Sequence, residues 1–365
     1  MPLSAVAVAG LIALAVAMGV GRFAFTPILP MMQDDAGLSI TGGGWLAAAN
    51  YAGYLAGALS AMRMPHSPVA AIRGGLLLIS LATFAMGVHD GFVYWIVLRA
   101  VAGAASAWVL ISVSAWALGK RAHGGVLYAG VGTGIAAAGA ACLALMTLHA
   151  SSSDAWMALG AASVALTLII WRMFDSSSNA AIEPARTEPA PHNWLFIVCY
   201  GASGFGYIIP ATFLPAMAKQ VISDPLLFGW VWPAFGAAAA ASTFLAGFFR
   251  NQRSVWMIAT LIMAFGVAAP LIVPGLSGIV ISAVLVGSSF VVITMAAMQE
   301  ARRVAAEHAH ALMAAMTAGF ALGQILGPLW VGYKTNVVQS LLAAAAVLVL
   351  SAAGIFFDGL KARRL

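Results

Sequence analysis

Residues 19–32 read GVGRFAFTPILPMM, and residues 204–217 read GFGYIIPATFLPAM. A shift of 185 residues lays Gly19, Gly21, Leu29, Pro30 and Met32 on Gly204, Gly206, Leu214, Pro215 and Met217. The same shift lays Gly44 and Trp45 on Gly229 and Trp230. Two motifs repeating at one offset imply two homologous halves in parallel orientation. Each copy lies in a strongly apolar run, yet the first holds an arginine, Arg22, where the second holds Tyr207.

The solvent around those runs follows from composition. The chain is 62% hydrophobic and 8% charged, against roughly 25% charged for a soluble domain. Apolar runs long enough to cross a ~30 Å hydrocarbon core recur along the chain. They predict twelve spans near 3–30, 42–62, 69–88, 92–118, 125–148, 156–174, 194–218, 228–250, 254–274, 276–299, 310–333 and 337–357. The first run has no basic leader and no small-residue cleavage site, so it is expected to be retained as a span rather than removed as a signal peptide. The polar stretch DSSSNAAIEPARTEPAPHN, residues 175–193, divides the spans six and six. The expected fold is therefore an all-α membrane protein. Its twelve transmembrane helices form two pseudo-symmetric six-helix halves, residues 1–174 and 194–365, joined by the 175–193 linker.

Charge sets the orientation. The net charge of +6 is not the footprint of a nucleic-acid binder, because the cations are sorted by loop. With both termini cytoplasmic, the inner loops and tail hold thirteen of seventeen Lys and Arg, from Arg63 and Arg73 through Arg302 and Arg303 to Lys361, Arg363 and Arg364. The outer loops hold only Lys219 and Lys334, and the last two cations, Arg22 and Arg99, fall inside spans. That asymmetry is the positive-inside rule and predicts a multi-pass protein of the inner membrane, expected to be a monomer, with the bilayer as its surroundings.

Near the middle of a membrane an unpaired guanidinium costs at least ~2.5–3.5 kcal/mol, and it cannot shed its proton to escape. Arg22 must therefore face a partner or a wet cavity. Every Asp and Glu falls in a predicted loop or at a span end, leaving the missing counter-ion to be a substrate. Tyr207, the symmetry mate, adds a phenol rather than a second cation, which suits a monocarboxylate better than a phosphate dianion. Other polar side chains fall on plausible cavity faces: Thr26 beside Arg22, Asn50 and Tyr54 one turn apart, Tyr200 and Tyr207 on one helical face with Ser203, then Trp232, Ser289 and Gln324. An aromatic lining with one cation suits an aromatic or amphipathic anion.

Several features exclude other chemistry. The seven histidines lie in predicted loops or span ends with no metal-ligand company, so neither a metal site nor a cofactor is expected. Cys142 and Cys199 read as small core hydrophobes. No nucleophile elbow, metal triad or phosphate-binding loop appears in a credible context, so the chain is not expected to be an enzyme.

Small residues mark close helix approach. Span 11 carries Gly319, Gly323 and Gly327, span 2 carries Ala49, Gly53 and Gly57, and span 5 carries Gly130 and Gly134, all at four-residue spacing. The stripes of spans 2 and 11 are expected to meet at a gate between the halves.

Twelve spans, a central linker and two six-helix halves resemble the major facilitator superfamily over essentially the full length. Arg99, Gly103 and Ala107 in RAVAGAASA are similar to its R-x-x-x-G-x-x-x-[GA] motif, which implies a part in conformational coupling. The depth of Arg99 near the outer end of span 4 suggests that it snorkels. The loop GALSAMRMPHSP keeps Gly57 and Arg63 of the G-x-x-x-D-R-x-G-R-[RK] signature and lacks the acidic residue, as does GFFRNQRS after span 8. GRFAFTPILP together with GWLAAANYAGYLAG is similar to the YbfB/YjiJ-type members, which implies a transporter. The placement of Arg22 eight residues before Pro30 resembles superfamily carriers of organic anions, in which a helix 1 arginine clamps the anion. The sequence thus favours a carrier of a small organic anion. The alternatives are an exporter of neutral or cationic amphiphiles and a non-transporting receptor or scaffold.

Overall fold

A computed structural model describes residues 4–63, 67–174, 194–221, 229–332 and 337–362. The linker predicted at 175–193 lies outside the described residues, as do the side chains of Leu214, Pro215 and Met217. The described chain forms long helices: α1 (Ala5–Asp35), α2 (Ile40–Ala61), α3 (Pro68–Ala85), α4 (Phe92–Gly119), α5 (Gly124–Thr147), α6 (Ser152–Met173), α7 (Trp194–Val221), α8 (Val231–Ala246), α9 (Gln252–Ile272), α10 (Leu276–Ala305), α11 (Ala309–Gly332) and α12 (Val337–Ala362). Ten of them are long and apolar enough to cross a membrane. The others are α2, rich in Gly and Ala, and α8, whose 16 residues fall short of a span.

Their starts follow local chemistry. The Ser39 hydroxyl accepts the Gly42 N–H at 2.9 Å to cap α2. Ser151 and Asp154 form a reciprocal capping box on α6, which satisfies donors that a helix end leaves orphaned. Leu81, Ile169, Phe265 and Leu350 stay exposed on the outer faces, where lipid rather than water is their solvent.

Glycine decides which helices touch. In α5, a Cβ on Gly130 would lie 2.1 Å from the Leu11 carbonyl oxygen, and one on Gly134 would lie 2.4 Å from that of Ala15, so this row packs on α1. The opposite row packs on α8: a Cβ on Gly132 would meet the Ala240 nitrogen at 2.3 Å, and one on Gly236 the Ala136 nitrogen at 2.3 Å. Gly125 against Gly247, and Gly139 against Pro233, extend this antiparallel seam along both helices.

The expected gate between the stripes of spans 2 and 11 is not what the glycines build. Gly53 and Gly57 face the Ala100 and Ala104 carbonyls of α4, and Gly103 faces the Asn50 carbonyl of α2. Gly319, Gly323 and Gly327 face Ile197, Gly201 and Ile208 of α7. Helices α2 and α11 do lie against each other, but the closest neighbours of these glycines are on α4 and α7. Four-residue spacing marks a close face without naming the neighbour, and these backbones found theirs a few helices away.

A second correction concerns Glu300. Helix α10 runs past the predicted end of span 10, and Glu300 is buried within it at 1% exposure. Its carboxylate accepts from Arg253 at 2.7 Å and from Arg303 at 2.7 and 2.8 Å, while Arg253 also pairs with Asp358 at 3.0 Å. The loop after α8 therefore has its charge network, with the acid supplied by α10 rather than by the loop itself. A carboxylate with three charged donors tolerates burial that a lone one would not.

Candidate functional site

The site is built on an irregularity in α1. Residues Ala15–Phe23 wind as a π-helix between two α-helical stretches. Pro27 lacks the N–H that the Arg22 carbonyl would take in an i→i+5 register. Arg99 supplies a donor instead, its guanidinium reaching the Gly21 and Arg22 carbonyls at 3.2 Å each. The Asn50 amide reaches the Arg99 carbonyl at 3.0 Å and the Gly21 carbonyl at 3.4 Å. The Ser106 hydroxyl lies 2.8 Å from the Ala17 carbonyl. Arg99 therefore does not snorkel. It is 3% exposed and buttresses the π-stretch from within.

This buttress aims Arg22 at the bundle interior, where it is 4% exposed. Its Nη2 donates to Oε1 of the fully buried Gln324 on α11 at 2.6 Å. The guanidinium carbon stands 3.8 Å from the centre of the Tyr54 ring, within the range of a cation–π contact. Among the described residues its Nε and Nη1 are buried without an acceptor, and so is the Gln324 Nε2.

Arg22 borders a cavity whose lining includes Tyr54, Tyr200, Tyr207, Phe290 and Phe320, with no Asp or Glu among the lining residues. Its volume is about 10 Å³, roughly the room that one water needs. Ring stacking closes it. Tyr207 stacks on Phe290 and Tyr200 on Phe320, each pair 4.9 Å apart, while Phe23 meets Phe290 edge-on at 5.8 Å. The Tyr200 hydroxyl donates to Thr294 at 3.0 Å.

Of the side chains predicted for this site, Arg22, Tyr54, Tyr200 and Tyr207 line the cavity, and Gln324 is bonded to Arg22. Trp232 stands one ring behind, 6.4 Å from Phe23, with its Nε1 buried and unpartnered. Asn50 is bonded to backbone rather than lining the cavity. Ser289 turns back on its own helix, 2.6 Å from the Leu285 carbonyl, and Thr26 is half-buried outside the lining. Sequence reasoning missed Phe23, Phe290, Thr294 and Phe320. Thr294 could have been found one residue past a helical turn from Ser289; the phenylalanines carry no signal among so many apolar neighbours.

No metal-binding group of His, Cys, Asp and Glu occurs among the described residues. The geometry offers buried donors, an aromatic wall and an enclosed volume shared by helices from both ends of the chain. No curated protein matches the chain. The family described as the uncharacterised MFS-type transporter YbfB matches residues 14–362, nearly the whole length. The chain therefore belongs to the YbfB-type family of major facilitator transporters and is a multi-pass membrane transporter of small molecules rather than an enzyme.

Proposed function

We propose that the transporter carries a small organic anion, a monocarboxylate with an aromatic or amphipathic body, by alternating access across the inner membrane. One observation carries the anion: Arg22 is a buried cation whose Nε and Nη1 have no acceptor among the described residues, and no carboxylate is among those that line its cavity. Its hydrogen-bonded partner Gln324 is neutral, and so is the Tyr54 ring beneath it. A carboxylate oxygen can accept a charge-assisted hydrogen bond from Nε or from Nη1, which point apart on either side of Cδ. The stacked tyrosines and phenylalanines offer its ring a wall. At about 10 Å³ the cavity is closed and empty of room, so the anion enters only when the helices part.

The wider architecture in this proposal is twelve spans in two halves, 1–174 and 194–365, with both termini cytoplasmic and a monomeric unit. The packing supports the halves. The 185-residue shift lays Gly134 on Gly319; the first brings α5 onto α1 and the second brings α11 onto α7. Arg99, Gly103, Gly53, Gly57, Gly319, Gly323 and Gly327 then act in conformational coupling by keeping each half rigid, rather than by forming the gate.

The test is counterflow of radiolabelled benzoate in liposomes. Wild type exchanges it, Arg22→Lys does so weakly, and Arg22→Ala not at all, although Arg22→Ala remains folded. Arg22→Ala loses a charged hydrogen bond of ~1.5–3 kcal/mol and a ring contact of ~2 kcal/mol, offset by several kcal/mol of relieved charge burial. A folded Arg22→Ala protein with undiminished benzoate exchange would refute the anion anchor. The aromatic wall and the unpartnered Trp232 Nε1 favour a second reading, an exporter of neutral or cationic amphiphiles. Counterflow of tetraphenylphosphonium but not benzoate would select it.

A further inference from the structure

A second cavity opens at the end of the bundle where α2 finishes and α11 begins. It is lined by Ala61, Ala70, Ala71, Gly74, Gly75, Leu78, Trp108, Ser112 and His310, and its volume is about 190 Å³. None of these residues belongs to the Arg22 site. Ala70, Gly74 and Leu78 are exposed at four-residue spacing along α3 and form a mouth on the side of the bundle, where lipid chains run. The Trp108 indole is fixed as one wall, because its Nε1 donates to the Ser60 hydroxyl at 2.8 Å. Ser112, 3% exposed, and half-buried His310 line the cavity and find no hydrogen-bond partner among the described residues.

We propose that this cavity binds a neutral single-ring compound carrying one hydrogen-bonding substituent, of which phenol is the simplest. Size sets the ring: an apolar cavity of about 150 Å³ stays dry and takes up benzene, and this one is slightly larger. Gly74 leaves the mouth clear for a planar guest, since a Cβ there meets nothing within 4 Å. Ser112 and His310 supply the polar contacts, since buried polar groups left unpaired are costly. Charged guests are disfavoured, because nothing charged lines the cavity to compensate their desolvation. His310 belongs to α11 and the remaining wall to α2, α3 and α4, so a bound ring ties the two ends of the chain together and holds this end of the transporter closed.

The experiment titrates phenol and benzoate separately into the full-length protein in lipid nanodiscs and follows the melting temperature. A ligand that binds only the folded state raises it. Wild type and Arg22→Ala should be stabilised alike by phenol. Gly74→Leu and Ala71→Leu should lose that response, and Ser112→Ala and His310→Ala should weaken phenol binding at least fivefold. A Cβ at Gly74 meets nothing within 4 Å, so its replacement fills the mouth without straining the fold. An equal phenol response in both filled variants, or none in wild type, overturns the proposal. Phenol stabilisation lost in Arg22→Ala but kept in the filled variants overturns it too, by assigning the ring to the central site. Benzoate stabilisation lost in Arg22→Ala reports on the anion anchor alone, so the two proposals fail separately.

Discussion

Replacing Gly236 by alanine is the sharpest perturbation of the α5–α8 seam. The added Cβ would lie 2.3 Å from the Ala136 nitrogen and 2.7 Å from the Gly132 oxygen, where ordinary contact begins at 3.4 Å. Both neighbours are backbone, so no side chain can swing aside. The helices must part by 3.4 − 2.3 = 1.1 Å. Overfilling a packed contact costs ~1–3 kcal/mol. If the seam loosens during transport, the closed arrangement loses ~5–150-fold in population to any state in which α5 and α8 have separated. Spin labels at Leu148 and Trp230 report one end of the seam, and labels at Lys120 and Phe249 the other. Electron–electron distance measurements should show a broader, longer distribution at one end or both, with a lower melting temperature. Gly44→Ala is the control, since its Cβ meets nothing within 4 Å. Unchanged distances and melting temperature in Gly236→Ala would refute the close backbone packing of this seam.

Gly323→Leu should lower the yield of folded protein rather than trap one transport state, because its Cβ already falls 2.3 Å from the Gly201 oxygen of α7; size-exclusion profiles read this directly. Arg99→Met removes the guanidinium donors to the Gly21 and Arg22 carbonyls and leaves only Asn50 on Gly21, each lost bond being worth ~1.5–3 kcal/mol. It should impair benzoate exchange even where Arg22 is intact, which counterflow would detect. Glu300→Gln leaves Arg253 with Asp358 alone and should destabilise the protein by up to ~3–5 kcal/mol, the range for breaking a buried ion pair. Arg253→Met in that background should recover part of the loss on thermal melting.

Much of the framework is legible in the sequence because membrane solvent imposes long apolar runs, and the ten helices long and apolar enough to cross a membrane each overlap a predicted span. Arg22 stands out for the same reason, since a cation in such a run must have a cause. The four-residue glycine spacing is equally visible, but the partner of a small face is fixed by three-dimensional proximity. Gly53 and Gly323 therefore point to each other in the sequence and to Ala100 and Gly201 in the fold. Arg99 reads as a snorkelling residue only if its neighbours are regular helix; the π-stretch beside it offers carbonyls to a buried guanidinium. Glu300 reads as a loop residue because a lone charge ends a span, whereas paired charge extends α10 by another turn. Phe290 and Phe320 cannot be singled out, because in lipid a phenylalanine is as suited to the outer face as to the cavity.

The π-stretch has a consequence for how this protein tolerates change in length. A helix whose bonds run i→i+5 holds a surplus residue relative to one whose bonds run i→i+4. Deleting a single residue between Ala15 and Phe23 lets the segment regularise to α-helix and absorb the loss, so the parts of α1 before and after it keep their faces. A residue lost from a regular stretch of α1 has no such reserve and turns one part by about 100° relative to the other. The π-stretch is thus the place in α1 where a lineage can lose one residue while Arg22 still faces Gln324 and Tyr54 and the first half still lies on the glycine row of α5.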